Sequence, residues 1–281
     1  MKKILVTGAN GQLGSELSVL SSKYPEYNWI FADRTQITLD NLEVLKLQLN
    51  EIKPDIILNC GAYTAVDKAE TETELAFTIN ESSVKLIAEF ASENRAKLIH
   101  ISTDYVFDGT SSIALNEEEK TNPINVYGAS KRAGEIACLE KNPDAIIVRT
   151  SWVYSKFGNN FVKTMQRLMQ ERESLNVVND QIGSPTYAAD LAQAMLDILK
   201  APNWIPGIYN YSNEGEISWH EFALDIKEFG GYNCNVSGIP SSAYPTPAKR
   251  PEFSLLDKKK IKTIYNLDIP NYKESLKKIF I

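Results

Sequence analysis

The chain has 281 residues, a length that allows one large α/β unit or two modest domains. It is 43% hydrophobic and 23% charged, which makes a packed core feasible and excludes wholesale disorder. A net charge of −6 argues against a nucleic-acid binder, and no apolar run approaches the length of a membrane span.

In chain order, the first half alternates short apolar strands with helical patterns. Ile4-Leu5-Val6 reads as a buried strand, followed by a helix carrying Leu13, Leu17 and Leu20. Trp29-Ile30-Phe31 is the second strand, and Asp40 is the expected N-cap of a helix bearing Leu42, Leu45 and Leu49. Ile56-Ile57-Leu58 follows Pro54 as the third strand, then a helix runs through Ala76, Ile79, Val84, Ile87 and Phe90. Leu98–Ile101 and Ile146–Val148 are the fourth and fifth strands, separated by a polar loop and a helix near Val126–Leu139. This alternation predicts an α/β, doubly wound parallel sheet of the Rossmann type over residues 1–150.

Beyond residue 150 the rhythm loosens. Helices are expected at Phe161–Glu171 and Ala188–Leu199, and the stretch past Pro202 is rich in Tyr, Asn, Pro and Ser. Residues 151–281 are therefore read mainly as a smaller α/β substrate-binding domain, with a segment near 184–208 returning to the first domain. Cys60, Cys138 and Cys234 have no paired spacing, which suits reduced thiols. Neither His100 nor His220 has a partner at metal-ligand spacing, and Glu117-Glu118-Glu119 reads as a solvated loop. No signal-peptide core follows Met1, so the protein is expected in the cytoplasm, free of membrane and nucleic acid.

Chemistry concentrates at strand ends. Gly8, Gly11 and Gly14 stand in the first strand–helix turn, together with Asn10, Gln12 and Leu13. Glycines there permit the bend and let backbone approach a pyrophosphate, while the helix N-terminus presents free N–H groups. Asp33 closes the second strand 19 residues beyond Gly14, where a carboxylate can hold ribose hydroxyls and favour NAD. Arg34 follows it, and an arginine there accommodates the 2′-phosphate of NADP, so NADH and NADPH both stay open. Gly61, Ala62 and Tyr63 follow the third strand, where small residues suit either a flat ligand or tight helix packing. Ser102, Thr103, Asp104 and Tyr105 end the fourth. Tyr127 and Lys131 lie four apart in a helix and so share a face, where an ammonium lowers a phenol's pKa toward the working range.

This ordered set resembles the extended short-chain dehydrogenase/reductase superfamily. The blocks Gly8–Gly14, Thr64–Glu70, Ser102–Phe107, Asn125–Gly128, Arg149–Tyr154, Gly158–Phe161, Asn179–Thr186 and Tyr244–Pro251 narrow the resemblance to the dTDP-4-dehydrorhamnose reductases. That resemblance implies reduction of the C4 ketone of dTDP-6-deoxy-L-lyxo-4-hexulose by NADPH or NADH. It implies Tyr127 as proton donor, Lys131 as ribose ligand, and Thr103 as the hydrogen-bond donor to the ketone oxygen. Val66, Asp104, Tyr105 and Trp152 are implied to line the sugar pocket, and Lys249 and Arg250 to meet the diphosphate. Some members of that family dimerise through magnesium. Glu16 resembles one of the acidic ligands, whereas Ala189 stands near another's place, with Asp190 adjacent. A monomer or homodimer is expected, with no required metal. Two other readings share the motifs: an epimerase or dehydratase that retains NAD, and a non-catalytic nucleotide-binding regulatory subunit.

Overall fold

The apolar strands alternate their side chains between two faces, and each face needs a helical cover. The computed structural model describes residues 1–281 and shows how that need is met. In chain order the first elements are β1 (Lys2–Thr7), α1 (Gln12–Ser21), β2 (Tyr27–Ala32), α2 (Leu42–Ile52), β3 (Ile56–Asn59), α3 (Val66–Ala69), α4 (Thr73–Phe77) and α5 (Ser83–Glu93). They continue with β4 (Lys97–Thr103), α6 (Val126–Lys141), β5 (Ile146–Thr150), β6 (Val153–Tyr154), α7 (Phe161–Glu171), β7 (Ser174–Val178), β8 (Ile182–Gly183) and β9 (Thr186–Tyr187). The last are α8 (Ala188–Lys200), β10 (Gly207–Asn210), β11 (Ile217–Ser218), α9 (Trp219–Gly230), β12 (Asn235–Ile239), α10 (Lys259–Tyr265) and α11 (Tyr272–Lys277).

Six strands form one parallel sheet in the order β10-β5-β4-β3-β1-β2, with the strand order reversing between β1 and β3. Ligands of open α/β sheets bind outside the carboxyl ends of the strands at such a reversal. Ile4, Val6, Ile99 and Val148 face one way, into a core shared with Leu17 of α1 and Met195 of α8. Leu5, Ile57, Leu98 and Ile147 face the other way, against Leu45 of α2 and Ile87 of α5. A separate core joins Tyr154, Met165, Phe222, Ile226, Tyr272 and Leu276 in the C-terminal half. Strand β10 pairs with β5 and so extends the large sheet, whereas β7 and β12 pair apart from it.

Two local expectations are corrected. The second helix is capped by Asn41 rather than Asp40; Asn41 Oδ1 accepts the Val44 N–H at 3.2 Å, while Asp40 is exposed one residue outside. The helical run through Ala76 and Phe90 is interrupted by a π-helical turn at Thr78–Ser82, which joins α4 to α5. Asn80 lies in that turn with its side chain drawn off the helix, accepting Tyr63 N–H at 2.9 Å and donating to Tyr63 O and Ser130 Oγ, each at 3.0 Å. The absence of a side chain at Gly134 lets α6 press directly on the Asn80 carbonyl. No helix is long and apolar enough to cross a membrane.

Candidate active site

The first turn is built for close approach. Gly8 has φ +66°, and a Cβ there would stand 2.9 Å from Gly61 Cα, so the β1 and β3 turns meet backbone to backbone. Gly11 caps α1 without any side-chain bond, leaving the first N–H groups of the helix available to an anion. Gln12 donates to Val153 O at 3.2 Å, while Leu13 is buried in the core. Asp33 accepts Thr35 N–H at 2.9 Å and Asn10 Nδ2 at 3.3 Å; these bonds, with Thr35 foremost, hold its carboxyl below the usual range. Arg34 is exposed and makes no ion pair. A cradle without side chains, the free helix N-terminus and the orphaned buried Ser102 Oγ together fit a dinucleotide.

At the next strand end, Gly61 N–H donates to Thr7 Oγ1 at 3.0 Å, and Ala62 is half-buried beside it. The Tyr63 hydroxyl donates to Glu72 Oε2 at 2.6 Å, a bond that holds the phenol protonated and pushes its pKa up to about 12. Beneath them lies a polar chain that the sequence reading left out. Thr7 Oγ1 donates to Asn59 Oδ1 at 2.6 Å, and Asn59 Nδ2 reaches His100 Nδ1 at 3.0 Å. His100 is fully buried, and burial holds it neutral. His220 is half-buried, with Nε2 3.4 Å from Val236 O.

Strand β4 and helix α6 meet at the candidate reaction centre. Thr103 Oγ1 donates to Asp104 Oδ1 at 3.0 Å and accepts Tyr105 N–H at 3.2 Å. Burial pushes Asp104 up to about 6, against the Ser254 and Thr103 hydroxyls, which pull it down. Tyr105 and Tyr127 pack edge to face, ring centroids 5.5 Å apart. Burial likewise pushes Tyr127 up to about 12, with the Thr103 hydroxyl acting in the opposite sense. Lys131 Nζ donates to Ile101 O at 2.6 Å, and burial brings the ammonium down to about 8. The Tyr127 pKa is thus raised rather than lowered toward the working range. Burial sets the direction for Tyr127, reinforced by the Asp104 carboxylate, and Lys131 is satisfied by a strand carbonyl.

The remaining predicted residues gather around the N-terminus of α6. Its cap, Asn125, accepts Gly128 N–H and donates to Lys249 O, each at 2.7 Å, so the 240–251 strap crosses beside Tyr127. The Lys249 side chain is exposed. Arg250 does not stand free for an anion: its guanidinium forms a two-pronged ion pair with Asp67, next to Val66, at 3.0 and 2.8 Å. Trp152 leaves β5 just past Thr150, which pairs in register with Thr103, and its ring stacks on Trp219. Asn80, Asp67 and Trp219 were not singled out from sequence. A polar residue in an otherwise apolar helical run was the available signal for Asn80 alone.

The acidic residues considered for other roles are engaged in the interior. Glu117 was expected in a solvated loop, yet it is half-buried and accepts Asn210 N–H at 2.9 Å; only Glu118 and Glu119 are exposed. Glu16 is 5% exposed and accepts Ser155 Oγ at 2.6 Å. Asp190 accepts Asn213 Nδ2 at 2.8 Å and Lys278 Nζ at 3.0 Å, and also bonds Ser275. No group of three or more His, Cys, Asp or Glu side chains is arranged to hold a metal.

A doubly wound sheet, a glycine turn at its reversal and a Thr, Tyr and Lys set at the end of β4 define the short-chain dehydrogenase/reductase class. Comparison with known proteins narrows this. The family profile described as the RmlD substrate binding domain matches residues 1–281. The chain is 39% identical over 286 residues to the dTDP-4-dehydrorhamnose reductase of Sinorhizobium fredii, covering 99% of this chain and 96% of that one. It is 40% identical over 290 residues to that of Salmonella typhimurium, covering 98% and 96%. The crystal structure of dTDP-4-dehydrorhamnose reductase from Bacillus anthracis in complex with NADP superimposes with a TM-score of 0.95 at 40% identity, covering 99% and 98%. The chain belongs to the dTDP-4-dehydrorhamnose reductase family.

Proposed function

We propose that this protein reduces the C4 ketone of dTDP-6-deoxy-L-lyxo-4-hexulose, with NADPH or NADH, to give dTDP-L-rhamnose. The observation that carries the reading is the meeting of Thr103, Tyr127 and Lys131 at one strand end, beside a dinucleotide cradle, in a chain of this family. When bound, the reduced nicotinamide supplies a hydride to the carbonyl carbon. Gly8, Asn10, Gly11, Gln12 and Gly14 hold the pyrophosphate end, and Asp33 the ribose hydroxyls. The exposed, unpaired Arg34 would meet the 2′-phosphate of NADPH, whereas Asp33 would hold the free 2′-hydroxyl of NADH, so the reading takes either cofactor.

Tyr127 is the proton donor. Its phenol, pushed up to about 12, is fully protonated at neutral pH and ready to neutralise a forming alkoxide. Thr103 donates to the same oxygen, a bond that strengthens as charge develops there. Lys131, one helical turn from Tyr127, binds the nicotinamide ribose and eases the phenolate left behind. Val66, Asp104, Tyr105 and Trp152 contact the sugar, and Lys249 and Arg250 its diphosphate, Arg250 by exchanging Asp67 for the incoming anion, with residues 151–281 forming most of a substrate domain. The protein works in the cytoplasm, as a monomer or homodimer, without a required metal.

The test follows the loss of reduced-cofactor absorbance on adding protein to the 4-keto sugar, with NADPH and NADH in separate runs. Oxidation that Tyr127→Phe abolishes is the expected result. Bound cofactor without oxidation would overturn the reading in favour of a regulatory subunit, and retained, non-exchanging NAD in favour of an epimerase or dehydratase.

A further inference from the structure

Three separate features converge on the Trp152 side chain. Its φ is +48°, a left-handed conformation that a residue with a Cβ holds only where its surroundings enforce it. Its indole lies flat on Trp219, ring centroids 3.7 Å apart and planes within 13°. A Cβ at Gly183 would stand 3.0 Å from Cε2 and Cζ2 of the same ring and from Ser254 Oγ, so the ring packs closely over a position without a side chain.

One piece of local structure produces the last two. Strand β11 pairs antiparallel with β8, setting Ile217 opposite Gly183. Trp219 follows directly as the first residue of α9, whose start is locked by the reciprocal Ser218–Glu221 capping box. Phe161 braces the Trp219 ring from α7 at a centroid distance of 4.6 Å. Both indoles are only partly buried, at the edge of the C-terminal core, so the stack is not simply interior filling.

We propose that Trp219 is a positioning residue for the sugar: it holds the Trp152 indole at one orientation beside the β4 strand end, so that no ordering is left for substrate binding to bring about. The proposal rests on the reading of Trp152 as a sugar contact. A ring fixed in advance loses no rotamer freedom when the ligand arrives, and a stacked aromatic pair is strong enough to fix it. Trp219 thus acts through Trp152.

The test uses the full chain, which has four tryptophans and one stacked indole pair. Circular dichroism of the unaltered protein should show the exciton couplet of two stacked indoles, lost in Trp219→Ala and in Trp219→Phe. Trp219→Ala should raise KM for the 4-keto sugar about tenfold, the worth of one aromatic pair, while KM for NADPH stays unchanged. Trp219→Phe should restore most of the sugar KM. In a Trp152→Ala background, Trp219→Ala should add nothing. Losses that multiply, equal shifts in both KM values, or absence of the couplet would each overturn the proposal. Should Trp219→Ala not fold, Trp219→Leu, which fills the space but offers no aromatic face, takes its place and should give the same sugar-selective loss; an unchanged KM there would overturn it. A folded protein with the couplet but no sugar-dependent NADPH oxidation would instead overturn the functional reading, and the proposal with it.

Discussion

Arg250 and Asp67, 183 positions apart in sequence, close a two-pronged ion pair at 3.0 and 2.8 Å. Asp67 also accepts Ala248 N–H at 3.2 Å, so one carboxylate pins the 240–251 strap to the start of α3. The guanidinium pulls the Asp67 carboxyl below its usual range. An anion bound by a two-pronged guanidinium and a backbone N–H is the arrangement a diphosphate also seeks.

Arg250→Ala is therefore expected to raise KM for the nucleotide sugar about tenfold, as for loss of a charged hydrogen bond, with a smaller change in kcat. Arg250→Lys should recover little of it, because an ammonium cannot reproduce the two-pronged geometry. Initial-rate kinetics decide the matter; an unchanged KM would leave Arg250 as a strap fastening alone.

Tyr127→Phe removes the phenol but leaves its packing on Tyr105. The expected loss in kcat is about 100- to 10,000-fold, with NADPH affinity changed little. Steady-state rates combined with a direct cofactor titration measure both. Retention of most of kcat would assign the proton to another donor.

Asp104 makes stability depend on pH. Its folded pKa, pushed up to about 6 by burial, exceeds the unfolded value, so folding favours the neutral acid. This contribution is complete below the unfolded pKa near 4 and is lost as pH rises through about 6. Relative to Asp104→Asn, the unaltered protein should lose on the order of 3 kcal/mol on going from well below pH 4 to well above pH 6, from a shift of roughly two pKa units. Urea denaturation across that window checks it, and parallel curves for the two proteins would sink the idea.

Glu135 and Arg149 form a pair buried to 0% and 1% exposure, with two bonds of 2.8 Å. Arg132 adds a third contact at 2.9 Å, and the Arg149 guanidinium lies 5.1 Å from the centre of the Phe107 ring. Glu135→Ala leaves a buried cation uncompensated and should destabilise the protein by about 3–5 kcal/mol. Replacing both residues by Leu and Met should cost far less. Chemical denaturation of the single and double variants separates these outcomes.

The strands at Ile4–Val6, Ile56–Leu58, Leu98–Ile101 and Ile146–Val148 were legible from sequence, because parallel strands covered on both faces must be continuous and apolar, and Trp29–Phe31, half-buried at the sheet edge, shares the pattern. The glycine turn, the shared helix of Tyr127 and Lys131, and the chemistry of the β4 end were legible too, being encoded over a few adjacent residues. Only the tertiary structure decided what depends on distant partners. It joined Asp67 to Arg250, set Trp219 on Trp152, and drew Asn80 out of a helical run into the gap over Gly134. It also set the direction for Tyr127, since spacing reveals the nearby ammonium but not the burial that raises the phenol's pKa. Periodicity is a local property of the chain, whereas desolvation and long-range pairing are set by how the layers close over one another.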